Sequence, residues 1–301
     1  MKFLVIINPT SGNGNSKNIF DKKIKKYLDS NEINYSIFIS KKKGDIQNYV
    51  LSYKFNKDKN ILLLGGDGTL FEIFQGLKNY NTDEFNIYIT PTGSGNAIYT
   101  SFDKPQFNSC KINKNSQLLL SNFEMNDEKG LFGLGISIGL ISDVDLNTEW
   151  MRYIGNTRYD LGGIYYILNT PSYKLKIEYT NNKNENKTIV NDFTQLFIFK
   201  CSHCSDNMLL NPDQKMSEDN YTLIAIPNTL TKYELLKLFI NLSSDYSPYY
   251  DNNKIIIDKV KSFVITPLDE KSKNSLTIDG EKYNFNYPLK GNISNKKINI
   301  Y

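Results

Sequence analysis

Histidine occurs once in this 301-residue chain, at His203. Arginine occurs twice, at Arg152 and Arg158, and cysteine three times, at Cys110, Cys201 and Cys204. Each scarcity excludes something. A single histidine leaves a serine- or cysteine-based relay one choice of base, and no nucleophile elbow accompanies it. An odd, low cysteine count is not a secreted disulfide scaffold. Cys201-Ser-His-Cys204 has the spacing of half a zinc site, but no second pair exists, so reduced cysteines near a loop are the better reading. No run of about 20 apolar residues occurs, so no helix is expected to span a bilayer. The opening MKFLVIINP enters a strand pattern too soon for a signal peptide, and the ends carry no lipidation pattern. The expected location is cytoplasmic.

What is present supports a folded enzyme. Hydrophobic residues make up 40% and aromatics 13%, enough for a substantial core. A net charge of +4 from 36 basic and 32 acidic residues is a weak bias, so nucleic acid is not an expected partner. All but two of the basic residues are lysine, and both arginines fall within one short stretch. Arginine offers a planar, permanently charged fork for phosphate or carboxylate that lysine cannot copy. Their clustering points to such an anion there.

Strand and helix signals alternate through the first third. Strands are expected at 3–8, 34–40, 61–64 and 86–90, with helices at 16–28, 45–55 and 69–78. This order implies a parallel sheet covered by helices, with ligands outside the carboxyl ends of the strands. Beyond residue 122 strands dominate: 131–141, 173–180, 187–200, 221–226, 254–258, 261–266, 275–278 and 283–287, with helices near 159–169 and 231–242. That is a mostly antiparallel β domain, a sandwich. The expected organisation is therefore an α/β domain over 1–122 and a β-rich domain over 123–301.

Three glycine-rich loops follow directly after predicted strands. Gly65-Gly-Asp-Gly-Thr69 is the sharpest. Its glycines let the backbone approach a phosphate, and the helix that follows aims its positive end there. Among these donors sits one carboxylate, Asp67. Like charges repel, so it suits a base for an attacking hydroxyl, or a magnesium ligand. Pro91-Thr-Gly-Ser-Gly-Asn96 and Asn8-Pro-Thr-Ser-Gly-Asn-Gly14 are the others; neither is a P-loop or a dinucleotide fingerprint. An Asp-Gly turn alone is commonplace at a strand end. Three such loops on one edge point to a phosphate-bearing ligand.

Together these loops resemble the diacylglycerol kinase catalytic superfamily. Ile141-Ser-Asp-Val-Asp-Leu146, Arg152-Tyr-Ile-Gly-Asn-Thr-Arg-Tyr159, Ser202-His203 and Thr277-Ile-Asp-Gly-Glu281 resemble the sphingosine kinases within it. The resemblance implies an ATP- and Mg²⁺-dependent lipid kinase with its active site in a cleft between the two domains and peripheral contact with membranes. It implies Asp67 as base and Gly65, Gly66 and Gly68 beside the substrate hydroxyl. It assigns the nucleotide to Asn8, Pro9 and Thr10, to Ser40, Lys41, Lys42, Lys43 and Gly44, and to Glu72. Gly93, Ser94 and Gly95, Arg152 and Arg158, and Asp279, Gly280 and Glu281 complete that set. Asp143 would meet the polar head of a sphingoid base, and His203 would line a lipid tunnel built from 159–169 and 196–210. Asp143 also has its own physical case: a partly buried carboxylate favours an ammonium-bearing alcohol over a neutral one. Read instead as plain helix-capping acids, Asp143 and Asp145 would need no ligand, and Asp145 fits that reading. A kinase for diacylglycerol or another lipid alcohol, an NAD kinase, which also carries Gly-Gly-Asp-Gly, and a silent lipid- or nucleotide-binding protein remain alternatives.

Overall fold

The computed structural model describes residues 2–55, 59–102, 116–148, 150–151, 157–169 and 171–301. The chain divides into two units, Met1–Leu120 with Asn295–Tyr301, and Ser121–Ser294.

In the first unit, β1 (Lys2–Ile7), β2 (Asn34–Ile39), β3 (Asn60–Gly65) and β4 (Asn86–Pro91) form a wholly parallel sheet in the order β2-β1-β3-β4. The connections are α1 (a helical run of Ser16–Ile19, a π segment Phe20–Ile24, and Lys25–Ser30), α2 (Asp45–Ser52) and α3 (Asp67–Leu77). A short helix, α4 (Ala97–Ser101), follows β4. The apolar stripe of α1 foreseen from spacing is the side that packs: Phe20, Ile24 and Leu28 cluster with Phe3, Val5, Ile7, Leu62 and Leu64. β1 and β3 are buried on both faces, as a central parallel strand must be. The chain leaves β1 toward β2 on one side and returns to β3 on the other. The loops after β1 and β3 therefore flank the point where strand order reverses, where open α/β sheets bind ligands. At the opposite sheet end, Asn86 donates to the Asn60 side chain (2.9 Å) and accepts from Asn299 (3.2 Å), which pins the register.

The second unit is mostly antiparallel. It holds β5 (Ser116–Met125, entering from the first unit), β6 (Glu128–Phe132), β7 (Gly135–Gly139), β8 (Tyr173–Asn181), β9 (Asn186–Phe199), β10 (His203–Ser205), β11 (Met208–Leu209), β12 (Tyr221–Pro227), β13 (Ile256–Pro267), β14 (Leu276–Ile278), β15 (Glu281–Tyr283) and the first half of β16 (Leu289–Ile300). β9 and β13 are long enough to change partners midway. β9 pairs β8 and then β12 and β7, while β13 pairs β12 and then β8 and β16. This closes a ring β8-β9-β12-β13, whose Tyr173, Phe193, Tyr221 and Phe263 are all essentially buried. The helices are α5 (Leu140–Asn147), α6 (Thr157–Asn169) and α7 (Lys232–Ile240). The strand expected at 131–141 is really β6, β7 and the start of α5. The two strands expected at 254–258 and 261–266 are one.

Candidate active site

The three glycine loops of the first unit are built against one another. Asn8 Nδ2 donates to Thr69 Oγ1 at 3.1 Å, and Asn8 Oδ1 accepts from the Thr10 amide and hydroxyl. The Ser16 and Thr92 hydroxyls are 2.8 Å apart, and the Thr92 amide donates to the Gly65 carbonyl. Where the second and third loops meet there is no room for side chains: a Cβ on Gly93 would lie 2.5 Å from Gly66 Cα. Asn96, in the left-handed region at φ 48°, accepts from the Gly93 amide and donates to its carbonyl. Ser94 is the exposed tip of this loop.

Asp67 sits partly exposed in the first turn of α3. Its Oδ2 accepts from the Ala97 amide (2.9 Å) and its Oδ1 from the Ile98 amide (3.1 Å), and Gly95 lies close against it. The carboxylate thus ties the second loop to the start of α4 and is held in one orientation. Glu72, on the same helix, accepts from the Gly44, Ile46 and Gln47 amides. Ser40 is buried, its amide bonded to the Ile7 carbonyl, and Lys41, Lys42 and Lys43 are exposed. Asn8 through Thr10, Ser40 through Gly44, Gly65 through Gly68, Glu72 and Gly93 through Gly95 therefore belong to connected segments of one unit.

The remaining candidates lie in the second unit. Asp143, in the first turn of α5, accepts from the Ser275 hydroxyl (2.6 Å) and from the Tyr173 hydroxyl. Burial pushes its carboxyl above the usual carboxylate range, opposed by those two bonds and by the charges of Lys271 and Lys282. Asp145 does not cap a helix as expected; both acids lie within α5. Its carboxylate pairs with the buried Arg158, at 3.6 Å, and accepts from Tyr159. The Arg158 guanidinium rests over the Tyr159 ring at 4.3 Å and donates to its hydroxyl. Tyr159 is pushed up to about 12, by burial first and then by Asp145. Arg152 lies outside the described residues, as does Cys110. His203 Nε2 is 3.0 Å from the Ser244 carbonyl and so carries the proton, leaving Nδ1 to accept from Ser202 at 2.9 Å. Asp279 is buried and accepts three amides, Gly133 at 2.7, Leu134 at 2.9 and Gly135 at 2.8 Å. Asp279 and Gly280, at φ 50° and 81°, form the two-residue turn between β14 and β15, and Glu281 begins β15.

Thr69, Thr92 and Asn96 hold the loops together yet were not singled out from sequence. Asn96 alone carried a signal, since asparagine tolerates the left-handed region after a glycine.

The residues 2–123 match the diacylglycerol kinase catalytic domain. Sphingoid long chain base kinase 4 of Schizosaccharomyces pombe is 26% identical over 94% of this chain and 71% of its own length. Sphingosine kinase 1 of Homo sapiens is 22% identical over 93% of this chain and 85% of its own length. A crystal structure described as a diacylglycerol kinase of Bacillus anthracis covers 99% of this chain and 96% of its own with a TM-score of 0.67 at 18% identity, a likeness of fold. Residues 2–123 are thus similar to the catalytic domain that defines the diacylglycerol kinase class, and most of the chain is similar to sphingosine and sphingoid base kinases.

Proposed function

We propose that this chain is an ATP-dependent lipid kinase that transfers the γ-phosphate to the primary hydroxyl of a sphingoid base. The observation that carries the reading is the convergence of three glycine loops at the strand-order switch point around one oriented carboxylate, Asp67. Backbone amides and the helix start of that cluster suit nucleotide phosphates. Asp67 takes the hydroxyl proton as the oxygen attacks the γ-phosphorus; the bond to the bridging oxygen breaks and ADP leaves. The amides of Ala97 and Ile98 fix which way the carboxylate faces, so little reorganisation accompanies attack.

No group of three or more metal-binding side chains occurs among the described residues. Beside phosphate-binding loops this suits magnesium carried in on the nucleotide rather than a preformed cage. Bound there, the ion would neutralise phosphate charge.

Asp143 supports the sphingoid substrate. Its oxygens are oriented by Ser275 and Tyr173, and an ammonium beside the reacting hydroxyl would gain a charge-assisted bond. The nearby Lys271 and Lys282 already offset that charge, which favours a neutral lipid alcohol such as diacylglycerol as the second reading. Radiolabelled ATP over a panel containing sphingosine and diacylglycerol decides between them. Asp67→Asn should lower turnover by about 10²–10⁴-fold with nucleotide binding kept within a few-fold. A purified variant that still turned over would refute the base assignment.

The lipid would be met at a membrane surface by peripheral contact. Helix α6 supports this, since Leu161, Ile164, Tyr165 and Leu168 recur at one-face spacing and are all exposed.

A further inference from the structure

Glu72 matches a family position that contacts nucleotide, but its surroundings describe another task. It stands on α3 beyond Asp67, and its two oxygens are engaged by main chain of a different segment. Oε1 accepts from the Gly44 amide at 3.0 Å, and Oε2 from Ile46 at 3.1 and Gln47 at 3.3 Å. Amide bonds to a carboxylate are charge-assisted, and three of them occupy its best-directed lone pairs. The segment it grips opens α2, entered through Gly44 at φ 85°.

The same segment is fastened elsewhere. Asp45 Oδ2 accepts from the Lys41 amide (2.9 Å) and the Lys42 amide (3.1 Å), and the Ser40 amide bonds to the end of β1. α2 lies tight on α3, for a Cβ on Gly76 would come within 2.7 Å of Val50. Between these fastenings Lys41, Lys42 and Lys43 are exposed. The main chain is fixed while three cations project from it. Long lysine side chains hold phosphate as point charges, and a wandering loop would lose much of that attraction to ordering entropy.

We propose that Glu72 is a positioning residue: acting through the amides of residues 44–47, it fastens the three-lysine loop to the helix that carries Asp67 and does not itself touch the nucleotide. This rests on the reading of that loop as phosphate-facing. One helix then sets both the base and the loop, so neither can drift without the other.

The test uses the full chain, Glu72→Ala, Glu72→Gln, and a variant with Lys41, Lys42 and Lys43 all changed to alanine. Hydrogen exchange of the ligand-free protein is read at peptides covering 41–50, and ATP binding is measured at equilibrium. Glu72→Ala should speed exchange of the 44–47 amides by about tenfold or more while leaving the β1 and β3 amides protected. Glu72→Gln, which keeps one acceptor oxygen and the side-chain size, should fall between. ATP binding should weaken in Glu72→Ala, yet weaken no further when the same change is made in the triple-alanine background. Unchanged exchange with weakened binding, or losses that add fully, would overturn the proposal in favour of direct contact. If the parent chain bound no ATP, the nucleotide reading would fall and the exchange result would still decide what Glu72 fastens.

Discussion

The Lys200 side chain, at the end of β9, has no exposed surface and one hydrogen bond, from Nζ to the Asn220 carbonyl at 3.4 Å. Burial lowers its amine from 10.5 to about 8, against the opposing fields of Cys201, Asp219 and Glu218. The unfolded chain keeps the proton up to its ordinary value, so between about 8 and 10.5 it binds more protons than the folded chain and stability rises with pH. Below about 8 both states are charged and the cost of burying that charge is fully present. Lys200→Met removes it at similar volume. The shift corresponds to roughly 3 kcal/mol, less about 1 kcal/mol for the lost bond to the Asn220 carbonyl, which keeps its bond from Gln214 at 3.3 Å, so the variant should gain about 2 kcal/mol near pH 7. Urea titrations at pH 7, 8, 9 and 10 would show it, with the parent's rise above pH 8 absent from the variant. A variant less stable at pH 7, or one that kept the rise, would contradict this account. Individual residues differ in how openly a sequence declares them. Asp67 was legible because its glycine neighbours and strand are contiguous. The anchoring roles of Glu72 and Asp279 were not, because their partners are main-chain amides at least 25 and 144 positions away, and amides leave no pattern.

The α/β elements were readable wherever apolar residues follow a clean period. β1 and β3 are nearly unbroken apolar runs, and α1 carries its stripe. β16 escaped because its sequence, LKGNISNKKINI, spreads few apolar residues among Lys and Asn, though its inward positions include Leu289, Gly291, Ser294, Ile298 and Ile300. α4 escaped because it is short and begins directly at the third loop. That loop shows how tightly the elements constrain each other. Gly93 is required by contact, since any Cβ on it would press on the Gly66 main chain. Gly93→Ala must therefore push the second and third loops apart and carry Asp67 with them, because Asp67 bridges the two. A displacement approaching 1 Å costs about 10²-fold in rate, and overpacking of this kind about 1–3 kcal/mol in stability. Turnover should fall far more than the melting temperature does. Full activity in Gly93→Ala would mean that the loop contact is not part of the working site.

At the level of the whole chain, Asn295–Tyr301 return to the first unit, where Asn299 and Ile300 pair alongside β4. No local signal could have announced this, since the pairing joins positions more than 200 apart and depends on the intervening unit folding. No helix among the described residues is long and apolar enough to cross a membrane. The exposed apolar stripe lies on α6. Its inner side presents two glycines beside the buried Arg158 and Ile167: Gly162 lies against Val144 and Thr148, and Gly163 against the Phe239 ring of α7. Its outer side is apolar, with Leu161 at 51%, Ile164 at 45%, Tyr165 at 62% and Leu168 at 59% exposure, and Trp150 nearby in sequence at 72%. A helix packed through glycines and turned apolar side outward is costly in water and favourable in a bilayer interface. Changing Leu161, Ile164 and Leu168 together to glutamine removes most of that surface without touching the residues beneath. Flotation on phosphatidylcholine vesicles containing sphingosine should weaken by about tenfold or more. The apparent KM for vesicle-borne sphingosine should rise in step, while turnover of sphingosine presented on an albumin carrier stays near that of the parent. Equal flotation of parent and variant would remove α6 as the membrane contact. A parallel loss on the albumin-borne lipid would instead assign the stripe to holding the substrate.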